Sequence, residues 1–158
     1  MKVFAAVACL MLVTACQAPP PPEMTEAEIA QIETEVMEWM GSHVRDYAEL
    51  NPELLLGAWN AEDCSSTRFA DRSTNRQELE AQVRRVLGGW ASVNIELLPG
   101  SVVDVISPSM AVFQGTGRQE YTPQGGQPGL YRVHFTYFLE KNTGDWKIRR
   151  NHVSGGVW

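Results

Sequence analysis

The apolar pattern of this sequence changes its period once, at Gly88-Gly89, and this change constrains the fold more than any other feature. Along residues 29–47, apolar side chains recur every three or four positions, which is the period of an amphipathic helix. After Gly88-Gly89, apolar and polar residues alternate in runs separated by turn residues such as Pro99-Gly100, which is typical of strands. Helices followed by consecutive antiparallel strands predict an α+β fold.

Local signals set the bounds of these elements. Thr25 and Glu28 have the spacing of a capping box, and Asn51-Pro52 has the order of an N-cap followed by a proline at the first helical position. We predict helices over 26–49 and 53–60, and a third that starts from a cap at 74–77 and ends at Gly88-Gly89. Residues 64–71 leave room for one strand. The later strands are predicted over 91–98, 101–106, 110–121, 130–140 and 146–154, and Gly115 and Gly117 are interpreted as a bend in one of them.

Length and composition exclude several classes of protein. The chain has 158 residues, which suits one ordinary domain, and 44% of them are hydrophobic, which is too many for a disordered chain. The formal net charge of −6 argues against a nucleic-acid partner, since such proteins normally carry a basic patch. No apolar run reaches the roughly 20 residues that a membrane-spanning helix needs.

The first residues resemble a bacterial lipoprotein signal. Lys2 precedes an apolar stretch, and Val13-Thr14-Ala15-Cys16 has the order of a lipobox, in which the cysteine is acylated before cleavage. We therefore predict a signal peptide over 1–15, a lipidated Cys16 that anchors the chain in the bilayer, and a proline-rich tether over 16–24. The alternative is an ordinary secretory signal cleaved after Ala15 or Ala18. The expected location is the cell envelope, facing the periplasm, on the outer membrane if the host is Gram-negative.

This assignment leaves one free thiol in the mature chain. Of the three cysteines, Cys9 is removed with the signal and Cys16 becomes a thioether, so only Cys64 remains. An intramolecular disulfide is then excluded. A single domain is expected over 25–158.

The last predicted hairpin carries a motif that points to a known family. Gly144, Trp146-Lys147-Ile148 and His152-Val153-Ser154-Gly155 have a spacing that resembles the end of the nuclear transport factor 2-like superfamily, which includes SnoaL-like domains. Kinase association domains of the same fold share the tryptophan, the histidine six residues later and the Ser-Gly pair. The resemblance covers about residues 25–156. It implies a cone, in which a curved antiparallel sheet wraps around N-terminal helices, and it implies a homodimer. It implies no particular reaction, because the superfamily includes enzymes and non-enzymes.

A cone of this kind implies an apolar cavity that opens at one end. Trp39, His43 and Tyr47 lie at i, i+4 and i+8, so they share one helix face. Strict alternation along the last strand places Arg150 and His152 on the face of Trp146 and Ile148. For the preceding strand, the sequence does not decide which of the two faces points into the cavity. The candidate pocket residues are Trp39, His43, Tyr47, Trp59, His134, Arg150 and His152.

Candidates for acid–base chemistry are few, and each has a structural alternative. They are His152, His134 and Asp104. His152 is equally suited to a structural hydrogen bond, and His134 and Asp104 to a solvent-facing position. A buried Arg150 would need a counter-ion, such as Asp46 or Asp104, or an anionic ligand. No metal or cofactor is expected, because the sequence has no metal-spaced histidine pair, nucleophile elbow or dinucleotide loop.

Three functions remain open at this point. The first is a tethered periplasmic SnoaL-like lipoprotein that binds a small apolar or anionic molecule, or a protein partner, in or at its cone, and we expect this one. The second is a SnoaL-like isomerase, cyclase or dehydratase acting on a small carbonyl or polycyclic substrate. The third is an assembly protein, which predicts an exposed apolar patch on strand 130–140.

Overall fold

Three α-helices form the N-terminal half of the fold. The structure is a computed structural model that describes residues 23–68 and 71–157, so the predicted signal peptide, Cys16 and most of the tether lie outside the described residues. Helix α1 (Glu26–Asp46) begins at the predicted capping box and continues into a 3-10 turn (Tyr47–Glu49). Helix α2 (Pro52–Gly57) is capped by Asn51, and α3 (Arg76–Gly88) by Asn75, one residue after the predicted cap position.

Seven strands of the described chain form one mixed sheet. Two short strands, β1 (Ser65–Arg68) and β2 (Asp71–Ser73), occupy the segment where one strand was predicted. The remaining strands are β3 (Trp90–Leu97), β4 (Val102–Ser107), β5 (Met110–Pro123), β6 (Gly129–Asn142) and β7 (Asp145–Val157). Their order is β2-β1-β7-β6-β5-β3, and β4 pairs with β5 beside β3. All pairings are antiparallel except that of β1 with β7, which is parallel.

The core lies between α1 and the concave face of the sheet. Helix α1 contacts β3, β4 and β5. Val36 and Met40 of α1 are fully buried, as are Phe113, Val133 and Ile148 of the sheet. Gly117 is inward-facing on β5, where an added Cβ would come within 2.8 Å of the Phe135 ring. Gly115 and Gly117 leave room for the neighbouring Phe113 and Phe135 rings, and β5 runs through both positions as one strand.

Two β-bulges, one in β7 and one in β3, change which side chains face the open end of the cone. In β7, Ile148 pairs with Leu139 and Arg150 with Phe138, so Arg149 is an extra residue. In β3, Trp90 pairs with Pro123 and Ser92 with Thr122, so Ala91 is extra. An extra residue reverses which side of the sheet the following side chains face.

The bulge at Arg149 overturns the predicted faces of the last strand. Trp146 and Ile148 point into the core as predicted, but beyond the bulge Asn151 and Val153 point inward. Arg150 and His152 are exposed on the convex face. The prediction that these two residues share a face with Trp146 is therefore wrong, because it assumed an unbroken alternation.

The architecture confirms the predicted fold class, an α+β cone with a curved sheet around N-terminal helices. Among residues 23–68 and 71–157, no helix combines the length and the apolarity required to cross a membrane.

Candidate functional site

The open end of the cone holds a pocket of about 580 Å³. Its walls come from α3, from the β1–β2 hairpin and from the ends of β3, β5, β6 and β7. Along one wall, the Trp90 and Tyr121 ring centroids lie 6.4 Å apart, and Tyr121 stacks on Tyr131 at 5.0 Å with an angle of 8° between the rings. Hydrogen bonding to Tyr131 raises the pKa of Tyr121, so the Tyr121 phenol is neutral at physiological pH. The wall is suited to stacking against a flat apolar molecule.

Arg68 supplies a positive charge to this pocket. It is the last residue of β1, and its Nη1 donates a hydrogen bond of 3.2 Å to the Tyr47 hydroxyl. The guanidinium carbon lies 5.4 Å from the ring centroids of both Tyr47 and Trp90. Two aromatic faces therefore hold the guanidinium in a fixed position, with a cation–π contribution from each.

Two buried amides line the same pocket. Gln119 of β5 is 2% exposed, and its Oε1 has no hydrogen-bond partner among the described residues. Gln82 of α3 donates from Nε2 to the Asp71 carbonyl oxygen at 3.3 Å. The Asp71 carboxylate is engaged by Arg85 in an ion pair. The pocket is thus apolar along one wall and polar around Arg68.

A second, smaller cavity lies deeper in the cone. Its volume is about 20 Å³, enough for one water molecule. Arg68, Gln82 and Val86 line both cavities, so these three residues separate the inner space from the outer pocket. The inner cavity, but not the outer pocket, is also lined by Tyr47, Trp59 and Asn151.

His43 lies behind this inner cavity, in a cluster of aromatic rings. Its ring stacks on Trp39 at 5.1 Å and meets Tyr47 and Tyr137 edge-on at 5.5 and 5.8 Å. Burial, and to a smaller extent the charge of Arg68, lowers the pKa of His43 to about 4. Burial raises the pKa of Tyr137 well above its ordinary value, and its proximity to Tyr47 adds to this. Both groups are therefore neutral at physiological pH.

The structure brings together only some of the predicted site residues. Trp39, His43 and Tyr47 share one face of the first helical segment, and Tyr47 and Trp59 line the inner cavity. His134 is exposed on the convex face of β6, where its Nδ1 lies 3.2 Å from the Thr116 hydroxyl.

The remaining candidates also lie on the convex side. Asp104 is exposed and accepts a hydrogen bond of 3.0 Å from Gln114. Arg150 is not buried, and Val112 and Phe138 separate it from Asp104 in the strand register. The pocket therefore contains none of the four candidates His134, His152, Asp104 and Arg150. Asp104 is also too far from Arg150 in the strand register to be its counter-ion.

Some of the pocket residues that were not predicted could have been found from the sequence pattern, and others could not. Inward parity along β5 runs from Phe113 through Gly115 and Gly117 to Gln119 and Tyr121, so continuing this alternation would have placed both in the cone. Trp90 faces the pocket only because of the bulge at Ala91. Arg68 had no local signal, because its position depends on the parallel pairing of β1 with β7.

Within the described part of the chain, no group of three or more histidine, cysteine, aspartate or glutamate side chains is arranged to hold a metal ion. The chemistry available at the pocket is hydrogen bonding, ion pairing with Arg68 and aromatic stacking.

Comparisons with known proteins show a shared fold. No protein-family model matches the sequence, and no curated protein is significantly similar to it. A candidate scytalone dehydratase from Novosphingobium aromaticivorans superimposes with a TM-score of 0.74 at 15% identity, over 85% of this chain and 89% of that one. A nuclear transport factor 2-like superfamily protein from Salmonella enterica gives 0.74 at 13% identity, over 82% and 94%.

A third solved structure has a different type of function in its name. It is a candidate calcium/calmodulin-dependent protein kinase II association domain from Xanthomonas campestris, with a TM-score of 0.65 at 18% identity, over 88% of this chain and 93% of that one. Identities this low establish the architecture and leave the activity open. The curved sheet, the helix that it wraps and the pocket at the open end give this chain the nuclear transport factor 2-like cone fold, to which the SnoaL-like domains belong.

Proposed function

We propose that this chain is a lipid-anchored protein of the cell envelope whose cone binds a small molecule. The observation that carries the proposal is the 580 Å³ pocket, which combines an aromatic wall with a fixed guanidinium. Pockets with mostly apolar walls and a few convergent polar groups are typical of small-ligand sites. A concave pocket of this size favours a small molecule over a protein partner.

Binding is favoured over acid–base catalysis because of what lines the pocket. Asp71 is the one carboxyl group among the described lining residues, and Arg85 engages it. His43 lies outside the lining, behind Tyr47. An isomerase, cyclase or dehydratase needs an acid or base within hydrogen-bond reach of its substrate. Because one of the similar structures is named as a dehydratase, an activity of this kind is the alternative function for this chain.

The pocket can be tested by native mass spectrometry on the mature lipidated protein purified from its own host and released from detergent. Beyond the covalent mass of the lipid, we expect a stoichiometric extra mass that is lost when the protein is denatured. Val86→Trp fills the pocket from α3 and should abolish the extra mass, whereas Val102→Trp, on the exposed surface of β4, should keep it. A bare protein, or an extra mass that survives Val86→Trp, would contradict the proposal. A mass twice that of the chain would support the predicted homodimer.

The anchor rests on Val13-Thr14-Ala15-Cys16 and is tested separately. We expect the protein to incorporate labelled palmitate and to partition into detergent, with the outer-membrane fraction of a Gram-negative host. Cys16→Ser should abolish both properties. Cys9→Ala changes another cysteine of the same segment and should leave both intact. Detergent partitioning of the Cys16→Ser protein would refute the lipid anchor.

A further inference from the structure

We propose that Gln119 selects the ligand of this pocket, because its Oε1 accepts a hydrogen bond from a neutral hydroxyl or N–H group on a largely apolar molecule. This inference rests on the proposed binding function. It names the chemical class of the ligand and the residue that recognises it. Three observations carry it: the unpaired oxygen of Gln119, the place of this residue in the pocket lining and the apolar surroundings of its amide.

The Gln119 side chain is buried with an unpaired acceptor. It is 2% exposed, and its Oε1 has no hydrogen-bond partner among the described residues. A buried carbonyl oxygen without a partner is rare in a folded protein, and it costs stability because the oxygen has lost its hydration. A contact with a ligand gives a physical reason for a glutamine at this position.

The position of Gln119 distinguishes it from the other buried side-chain atoms that lack a partner in the described chain. Asn151 Oδ1 belongs to the inner cavity, where the space for one water molecule can supply a partner. The atoms that line neither cavity are His43 Nδ1, Ser73 Oγ and Trp146 Nε1. Gln119 lines the 580 Å³ pocket and not the inner cavity, so molecules that enter the pocket are the source of its partner.

The surroundings of the amide favour a neutral donor. Gln119 pairs with Ile95 of β3 and Tyr131 of β6, whose side chains lie on the same face of the sheet, and Tyr121 is the next inward residue along β5. Ile95 is buried, and the two tyrosines line the pocket. A charged donor would have to lose its hydration to reach this place, which costs far more than for a hydroxyl or an amide N–H.

The amide is able to present its oxygen to the pocket. Neighbouring atoms cover Oε1 in the structure. The last torsion of a glutamine side chain has a broad range, so a turn of the amide about this bond costs little. A ligand with an O–H or N–H group then gains a hydrogen bond, whereas a ligand that offers only acceptors leaves Oε1 unpaired.

Native mass spectrometry of two methionine variants tests the residue, again on the mature lipidated protein from its own host. Gln119→Met keeps an unbranched side chain of similar length and removes the acceptor, so the occupancy of the extra mass should fall at least about fivefold. Gln114→Met makes the same change in the same strand, on the exposed convex face, and should keep the extra mass.

Thermal unfolding separates recognition from a structural role. After the extra mass has been removed, Gln119→Met should melt at the same temperature as the wild type or higher, because the variant no longer buries an unpaired polar group. If Gln119 instead stabilised the cone through its own contacts, the melting temperature of Gln119→Met would be clearly lower. Gln114→Met should melt with the wild type.

Two probes that differ by one methyl group test the chemical class. 2-Naphthol carries a neutral hydroxyl, and 2-methoxynaphthalene has the same rings and oxygen but no donor. Both are titrated by calorimetry into the protein freed of its extra mass. We expect naphthol to bind about tenfold more tightly. This preference should disappear in Gln119→Met and persist in Gln114→Met, which separates the hydrogen bond from the difference in size.

The outcomes distinguish this inference from the proposed function. Full retention of the extra mass by Gln119→Met, a lowered melting temperature of that variant, or a naphthol preference that survives in it would overturn the role of Gln119 and leave the pocket as a binding site. An extra mass without a neutral O–H or N–H group would do the same. A mass that has such a group and is lost in Gln119→Met supports the inference whether or not the probes bind. If the wild type carries no extra mass and neither probe binds, the proposed function fails as well.

Discussion

Gly155 of β7 pairs with Val133 of β6, at the edge of the pocket. A Cβ built on it would overlap the carbonyl oxygen of Arg132, a contact with backbone that no rotamer change can relieve. Gly156, the next residue, has nothing within 4 Å of a Cβ at its position. The close approach of the β6 backbone therefore explains why the Ser-Gly pair of the terminal motif has a glycine at position 155.

Gly155→Ala should destabilise the protein by about 3 kcal/mol, because the two strands must move apart to admit the methyl group. Gly156→Ala is the matched control and should change the free energy of unfolding by less than about 0.5 kcal/mol. Urea denaturation measures both, with the m-value as a check on two-state unfolding. Equal stabilities of the two variants would show that the strands tolerate a side chain at Gly155.

His43 makes the stability of the cone depend on pH. Its pKa is about 4 in the folded protein, below its ordinary value of 6.5, because the ring is buried among Trp39, Tyr47 and Tyr137 and faces the charge of Arg68. Between these two pKa values the unfolded chain binds a proton that the folded chain does not. Stability is therefore complete above pH 6.5 and declines as the pH falls toward 4.

His43→Phe keeps an aromatic ring at this position and removes the titration. Relative to this variant, the wild-type protein should lose about 3 kcal/mol between neutral pH and the folded pKa of His43. Glu28, Glu35 and Glu78, whose pKa values are lowered by hydrogen bonds, titrate in both proteins, so their effect cancels in the difference. Parallel pH profiles of the two proteins would contradict the assignment.

At the scale of elements, much of the order could be predicted from the sequence because the signals are local. The capping box at Thr25, the cap at Asn51 and the hairpin turn before Asp145 depend on neighbouring residues, and the structure confirms them. The bulges at Ala91 and Arg149 depend on how two distant strands pair. They decide which side chains of β3 and β7 face the pocket, which is why Trp90 was not predicted and why Arg150 and His152 were assigned to the wrong face.

Helix α3 is positioned by its N-cap and carries one wall of the pocket. The Asn75 Oδ1 accepts a hydrogen bond of 3.0 Å from the backbone N–H of Glu78, and the Glu78 carboxylate accepts one of 2.7 Å from that of Thr74. The first contact satisfies an N–H group that the first turn of a helix leaves unpaired, and the second ties the residue before the N-cap to that turn. Gln82 and Val86, which both line the pocket, follow one and two turns later along the helix.

Asn75→Ala should therefore lower the free energy of unfolding by about 1 kcal/mol, the usual contribution of an N-cap. Gln77→Ala is the comparison, since Gln77 is exposed in the same turn and makes no capping contact, and its effect should stay within about 0.5 kcal/mol. Thermal unfolding distinguishes the two. An unchanged melting temperature for Asn75→Ala would mean that packing alone fixes the start of α3.

At the scale of the whole molecule, the pocket joins parts of the chain that are far apart in sequence. Its lining includes Arg68 of β1, Gln82 of α3, Gln119 of β5 and Gly155 of β7. A ligand in the pocket would therefore contact the β1–β2 hairpin, helix α3 and the long strands of the sheet. The fold class was predictable from the order of patterns, whereas this convergence depends on β1 pairing in parallel with β7. Binding at such a place should be linked to the stability of the entire cone.

The expected linkage can be measured with the molecule that native mass spectrometry recovers on the protein. At a concentration about 100 times its Kd, it should raise the free energy of unfolding by about 2.7 kcal/mol, provided that it binds the folded state alone. Amide hydrogen exchange should slow in β1, β2 and α3 in particular, because the hairpin and the helix have fewer contacts of their own to hold them than the central strands do. In Val86→Trp the same concentration of this molecule should give clearly less stabilisation and protection, and in Val102→Trp it should give as much as in the wild type. Equal stabilisation of the Val86→Trp protein would place the binding site elsewhere on the molecule and would break the link between this pocket and the ligand.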